Sequence, residues 1–375
     1  MNDTPLPEPD RVESAPHPRE TDVLYGQSVA EAGFLAAFTA GKLHHAWLLH
    51  GAQGIGKATL AWRIARFLLA QPEEDGGGLF GEPEVPQTLD ADPNHPAVRR
   101  AQSLGEPRLA LVRRAWDDKA KRLKSVITID EVRKLKSFFA LSAADGGWRV
   151  AIVDAADEMN PSAANALLKI LEEPPEKTVL LLIAHQPARL LPTIRSRCRA
   201  LRCAQLSPED QTSALTQAGH PPGEAAAVIA ELSAGSAGAA LQLIQNDGAK
   251  LYEQLLKLLA TSPGLDRPTA LSLAESCSGA ANADRYALVL SLVNLLLTRL
   301  ARFAALQPAI WTEAGANEAR AFARLGPSAA YAHPWAQLAA ELSARTGHAR
   351  GVNIDPASVV FDALMAIDAR AKAAA

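Results

Sequence analysis

Cysteine is nearly absent from this sequence. Three in 375 residues, at 198, 203 and 277, cannot build a disulfide framework or a four-cysteine zinc site. Aromatic residues make up only 5% of the chain. Neither sign of charge dominates. With 38 basic and 41 acidic residues the formal net charge is −3, which counts against a stand-alone, sequence-independent DNA binder. Long apolar runs are missing too. The longest, Tyr286 to Leu297, falls short of the ~18 residues a membrane span needs and is interrupted by Ser291 and Asn294. The first twenty residues are polar and contain no apolar core of a signal peptide. These deficits predict a soluble, cytoplasmic protein of a reducing compartment, with no membrane partner.

What the chain does have is 48% hydrophobic residues over a length that accommodates two or three domains with cores of their own. Residues 1–22 carry Pro5, Pro7, Pro9, Pro16 and Pro18 among charges, a composition that predicts a disordered tail. Ser28 to Thr39 places Val29, Phe34, Leu35 and Phe38 at helical spacing. Ala46–His50 reads as a short apolar strand, followed by a glycine-rich turn and a helix from Lys57 to Leu69. Residues 71–96 form a long loop rich in Pro and Gly. Arg149–Val153 and Thr178–Ala184 read as buried parallel strands, and Asn160–Leu171 between them as a helix stopped by Pro174-Pro175. Strands alternating with helices predict a doubly wound α/β domain to about residue 206. Beyond it the pattern is helical throughout. The expected organisation is an α/β P-loop domain over 23–206, a helical lid over 207–262 and an all-α domain over 263–375.

Gly51-Ala-Gln-Gly54-Ile-Gly56-Lys57-Ala58-Thr59 sits between predicted strand and helix. Glycines there let backbone N–H groups wrap a phosphate, the helix N-terminus adds its dipole, and the lysine reaches the outer oxygens. The pattern fails at its last position, where Ala58 replaces the hydroxyl that ligates Mg²⁺. Thr59 comes one residue late, a rotation of about 100° round the helix. Asp154, at the end of the strand Val150–Asp154, stands where such enzymes place the acid that organises Mg²⁺. The residue after it is Ala155, and Asp157 and Glu158 read as solvated acids at a helix start. With both the hydroxyl and the water-orienting base lost, the site is expected not to hydrolyse ATP.

Four segments together carry a family resemblance: Lys42–Trp47 leading into Gly51–Thr59, Trp148–Asp154, Asn160–Pro175 (NPSAANALLKILEEPP), and Leu191–Cys198 (LPTIRSRC). They resemble the clamp-loader branch of the AAA+ family, and within it the delta-prime group of bacterial DNA polymerase III. The resemblance covers roughly residues 23–245 and implies a RecA-like AAA+ domain, a helical lid and a helical C-terminal collar. It implies a non-hydrolysing stator in a hetero-pentamer with delta and gamma/tau subunits, which opens a sliding clamp and loads it on primed DNA. It also implies that Arg197, within Ser196-Arg197-Cys198, acts as an arginine finger in a neighbouring subunit's ATP site. Further departures from the ATP-hydrolysing members are Gly238 in place of a sensor arginine and Ala184-His185 in place of a polar sensor. Gly51, Gly54, Gly56, Lys57, Ala58, Thr59 and Asp154 would then form a degenerate nucleotide site. No cofactor is required on this reading, weak ATP or ADP binding is left open, and no zinc is expected because residues 60–150 contain no cysteine. An active clamp-loader ATPase using Thr59, and a scaffold with a vestigial loop, are the alternatives. The stretch Arg99–Lys124, with nine basic residues against three acidic, reads more readily as a solvated helix than as a DNA contact. His44 and His45 lack ligand partners at metal spacing and read as structural.

Overall fold

The computed structural model describes residues 7–12, 14–72, 85–140, 146–351 and 354–374. Much of the expected 71–96 loop, including Gly76–Gly78 and Pro83, lies outside the described residues. The chain divides into two compact units, Met1–Gly219 with Gly235–Gly238, and His220–Ala234 with Ala239–Ala375. The expected boundaries at 206 and 262 are placed differently from this division.

Seven strands occur among the described residues of the first unit: β1 (Ala46–His50), β2 (Leu109–Arg113), β3 (Trp116–Asp117), β4 (Arg122–Leu123), β5 (Arg149–Asp154), β6 (Thr178–Ala184) and β7 (Arg199–Arg202). Five of them form a parallel sheet in the order β2-β5-β6-β1-β7. Its central strands are apolar on both faces because both are covered. Trp47, Leu49, Val150, Ile152, Leu181 and Ile183 pack on one side with the helices Ser28–Thr39 and Lys57–Leu69. The alternate residues Leu48, Ala151, Val153, Leu180 and Leu182 pack on the other with Ile129–Ala140 and Pro161–Glu172. This is a doubly wound parallel α/β sheet with helices on both faces and a glycine-rich loop after β1, followed by helices. The helix Pro161–Glu172 begins as its sequence requires, with Pro161 at its first position and the Asn160 side chain accepting the Ala163 N–H at 2.8 Å. Val29, expected on the buried face of its helix, is 85% exposed, and Phe34 alone of the four spaced residues is fully buried.

Two expectations need correction here. The N-terminal segment is not disordered over its described residues. Pro18–Glu20 forms a 3₁₀ turn against the helix Lys57–Leu69, and Arg66 of that helix donates to the Arg19 and Thr21 carbonyls at 3.1 and 2.9 Å. Asp10 pairs with Arg113 at 2.5 Å and His17 at 3.1 Å, and Glu8 bridges Arg19 and Arg113 at 2.7 and 2.8 Å. The buried His17 ring stands edge-on to Trp62. Composition forbade an apolar core, but these charges are neutralised by Arg19 and by Arg113, the latter about a hundred residues away, which composition does not reveal. The second correction concerns 99–124. It is not one helix but a short helix (Pro96–Gln102), strand β2 and the antiparallel β3–β4 hairpin.

The second unit is helical. The 24-residue helix Ala283–Leu306 is its centre and packs against Gly248–Thr261, Glu318–Leu325, Ala332–Gly351 and Pro356–Ala374. By length and a mean hydropathy of 1.6 it could cross a membrane, longer than the apolar run noted in the sequence. It is instead mostly buried among its neighbours, as the core helix of a bundle is, and it carries the buried Arg299.

Candidate functional site

The loop Gly51–Gly56 leaves the C-terminal end of β1 inside the parallel sheet, the crevice where such folds bind ligands. Its glycines have specific reasons. Gly51 (φ 148°) passes so close to the Cys203 carbonyl that a Cβ would lie 2.6 Å from it. Gly56 (φ 95°) caps the following helix in the left-handed region. Lys57, 2% exposed, is turned onto the loop itself: its Nζ donates to the Gly51 and Ala52 carbonyls at 2.9 and 2.5 Å. Burial lowers its pKa to about 8. Ala58 and Thr59 follow on the helix, each half-buried.

Asp154 ends β5, opposite Arg113 in the register with β2, and is buried. Burial, reinforced by the charge of Asp10 from the N-terminal segment, pushes its pKa up to about 7, against the pull of Lys57. A carboxyl raised in the fold is ionised more easily in the unfolded chain. Stability is therefore lost as pH rises from the unfolded value near 4 through 7, and the loss levels off above that. Asp154→Asn removes this dependence. Its advantage over wild type in urea denaturation is expected to grow between pH 5 and 8, up to ~4 kcal/mol. A flat difference across that range would mean that Asp154 titrates normally.

Asp157 is not the solvated acid expected. It is 8% exposed, and its carboxylate accepts the His185 N–H at 3.2 Å and the Gln186 N–H at 2.8 Å. Orphan donors after β6 need an acceptor, and Asp157 supplies it. Glu158, half-buried, pairs with Arg114 at 2.8 Å. Position 238 is also occupied in a way the sequence did not disclose. The turn Gly235–Gly238 lies on the phosphate loop, with the Gly238 N–H donating to the Gly54 carbonyl at 3.0 Å and the Ser236 hydroxyl to the Gln53 carbonyl at 2.7 Å. A Cβ at Gly238 would stand 2.9 Å from the Gly54 Cα, so no side chain fits there without backbone movement. Gln27 ties the same loop from below, its amide donating to Ile55 O and Ala204 O and accepting the Ala204 N–H at 2.8 to 2.9 Å. Alanines stand at positions 58 and 155, and two of the Lys57 ammonium's three donors are spent on its own loop.

Arg197 stands apart from this loop. It follows the short helix Pro192–Arg195, donates to the Thr193 carbonyl at 3.2 Å, and pairs with Glu172 at 3.0 Å, with its side chain 38% exposed. Ser196 donates to Thr193 O at 3.1 Å. Cys198 packs against the sheet, and burial pushes its thiol up to about 12, far from reactive. Arg199 lies over the Trp47 ring at 4.9 Å. The structure therefore brings Gly51–Thr59 and Asp154 together and leaves Arg197 at a surface of the same unit. Sequence reasoning missed Asp157, Gln27 and Glu172 as partners. Only Glu172, the first glutamate of LEEPP, gave any signal, by being part of the quoted motif. His44 and His45 are structural as expected, stacked on each other and bonded to the Ala46 and Leu171 backbones.

The family model described as DNA polymerase III, delta subunit, matches residues 26–207. The DNA polymerase III subunit delta' of Pseudomonas aeruginosa is 39% identical over 222 residues, 57% of this chain and 61% of that protein. The subunit delta' of Escherichia coli is 32% identical over 228 residues, 61% of this chain and 63% of that one. A DNA polymerase III subunit gamma, of Buchnera aphidicola, is 27% identical over 234 residues, 61% of this chain and 58% of that one. The chain spans about three fifths of the length of these curated relatives. Residues 26–207 thus match the DNA polymerase III delta-subunit family, and the chain that carries them is similar to the delta-prime subunits.

Proposed function

We propose that this chain is the delta-prime-type subunit of a clamp loader: a stator that hydrolyses no ATP itself and supplies Arg197 to a neighbouring subunit's ATP site. Its partners on this reading are delta and gamma/tau subunits in a hetero-pentamer. Through that assembly it serves the sliding clamp and primed DNA in the cytoplasm. The observation that carries the reading is a contrast within one domain. The phosphate loop keeps its fold while Lys57 is bonded to Gly51 and Ala52, and positions 58, 155 and 238 hold no catalytic group. The Ser196-Arg197-Cys198 arginine remains partly exposed, held by one surface carboxylate. No cofactor is needed for such a role, and nucleotide binding is weak or absent.

The test is reconstitution with delta and gamma/tau subunits from the same source. The purified chain alone is expected to show no ATP turnover, and calorimetric titration with ATP or ADP to give a Kd weaker than about 1 mM, less than ~4 kcal/mol. Leaving it out of the mixture is expected to abolish DNA-stimulated hydrolysis. Turnover by the isolated chain that Lys57→Ala removes would favour an active ATPase using Thr59 and overturn the stator. Full hydrolysis without this chain would reduce it to a dispensable scaffold.

A further inference from the structure

The β3–β4 hairpin is the basic feature that the clamp-loader reading leaves unused. Its strands are two residues each, Trp116 opposite Leu123 and Asp117 opposite Arg122, closed at the base by the Lys124 N–H donating to Ala115 O at 2.9 Å. Asp117 accepts the Lys119 and Ala120 N–H groups at 2.9 and 3.0 Å, which folds the tip, and its carboxylate is further stabilised by the nearby charges of Lys124 and Arg122. Lys119, Lys121 and Arg122 are exposed and Lys124 half-exposed, and among the described residues none of the four has an ion-pair partner. Asp118 is the other acid on the tip. Several other arginines of this unit are neutralised by acids: Arg113 by Glu8 and Asp10, Arg114 by Glu158, Arg63 by Glu31. In a chain of net charge −3, four cations within six residues, none in a direct ion pair among the described residues, make a local concentration of positive charge.

A cavity of about 450 Å³ opens at the base of the hairpin. Trp116 and Leu123, on the same hairpin face, form its apolar wall, and Arg11, Arg19, Arg113 and Arg114 surround it. The acids on the wall are Glu8 and Glu131, and Glu8 is already bridged to Arg19 and Arg113. Arg11 adds a fifth cation with no ion-pair partner among the described residues. The volume suits a single planar group. A half-exposed indole beside unpaired cations meets the two demands of an unpaired nucleotide: a stacking surface for the base and positive charge along the backbone. Duplex DNA satisfies only the second, because its bases are already stacked. An acidic peptide has charge and no matching use for the indole wall.

We propose that the hairpin Trp116–Lys124 and the cavity at its base bind single-stranded nucleic acid, with phosphates along Lys119, Lys121, Arg122 and Lys124 and one base against Trp116. The inference stands on the first unit alone and does not rest on the stator reading. It is tested on the full chain by fluorescence anisotropy with a labelled oligo(dT) and a duplex of equal length, between 20 and 200 mM salt. Four to five phosphate contacts give a log–log salt slope of about −3 for single strands. The exposed quadruple variant K119A/K121A/R122A/K124A is expected to lose at least ten-fold in affinity at 20 mM salt and most of the slope. Trp116→Ala is expected to lose about ten-fold for oligo(dT) and little for duplex, with Trp116→Phe restoring it. Circular dichroism melts of each variant verify the fold. No binding of oligo(dT) by wild type, or unchanged binding by the quadruple variant, overturns the proposal. So does binding of polyglutamate as tight as that of oligo(dT), or duplex binding equal to single-strand binding and blind to Trp116. Either would make the hairpin a general anion face.

Discussion

If Arg197 is a finger in a neighbouring subunit's site, as proposed, Arg197→Ala in the reconstituted assembly is expected to lower ATP hydrolysis at that site by about 10³-fold or more. A guanidinium supplied in trans is worth ~10³–10⁵ in rate because it meets charge on the transferring phosphoryl group. That range corresponds to roughly 4–7 kcal/mol of barrier. The total turnover of the assembly should fall by at least the share of that one site. Within this chain the same substitution removes a hydrogen bond to Thr193 and a pair with Glu172 whose two side chains are 38% and 50% exposed. Such pairs contribute ~0–1 kcal/mol, so the melting temperature of the isolated chain should barely move. Two companions sharpen the result. Arg197→Lys keeps the charge without the planar fork and should recover only part of the rate. Glu172→Ala frees the arginine without removing it and should leave turnover within a few-fold of wild type. DNA-stimulated ATPase assays on the three assemblies decide it, and wild-type turnover with Arg197→Ala would sink the finger.

The largest stability effect is expected in the helical unit. Glu318 is fully buried, and five donors converge on its carboxylate. Arg299 gives two bonds at 2.9 and 2.7 Å, Trp311 Nε1 one at 3.0 Å, the Ala314 N–H one at 2.9 Å, and Tyr252 OH the fifth. Arg299 in turn pairs with Glu231 at 2.5 Å, donates to Thr312 O at 2.8 Å and lies over the Trp311 ring. Burial works against the ionised Glu318, but the bonds from Arg299, Tyr252 and Ala314 outweigh it and hold its pKa below the ordinary value. Glu318→Ala leaves a buried guanidinium short of its main counter-charge and should cost ~3–5 kcal/mol in denaturant unfolding. A group with a lowered folded pKa contributes fully above its unfolded value, about 4.3, and its contribution disappears as pH falls below that. The gap between wild type and Glu318→Ala should therefore be widest near neutrality and narrow below pH 4. A cost under 1 kcal/mol at pH 7 would show that the network contributes little net stability.

How much of this was readable beforehand differs by element. The helices Ser28–Thr39 and Lys57–Leu69 and the strand Thr178–Ala184 are placed as the sequence predicts, since each is bounded by glycine, proline or a change of period. The phosphate loop was legible for the same local reason, because its glycines are demanded by backbone geometry within nine residues. The N-terminal segment was not, because Glu8, Asp10 and His17 depend on Arg113, about a hundred positions away. Asp157 was misread because its partners, the N–H groups of residues 185 and 186, lie on another strand end. The basic stretch reads as a helix in the sequence because its hairpin strands are too short to show a two-residue period.

By itself the sequence determined the P-loop sheet, the all-helical remainder, the alanines at 58 and 155 and the motif around Arg197, because each is a matter of residue identity or local period. The tertiary structure alone decided that Lys57 bonds to its own loop, that Gly238 sits where no side chain fits, and that Glu172 holds Arg197. It also decided that cations gather beside Trp116. These depend on which distant groups the fold brings within hydrogen-bonding or Coulombic reach, and a linear chain carries that information only through its packing.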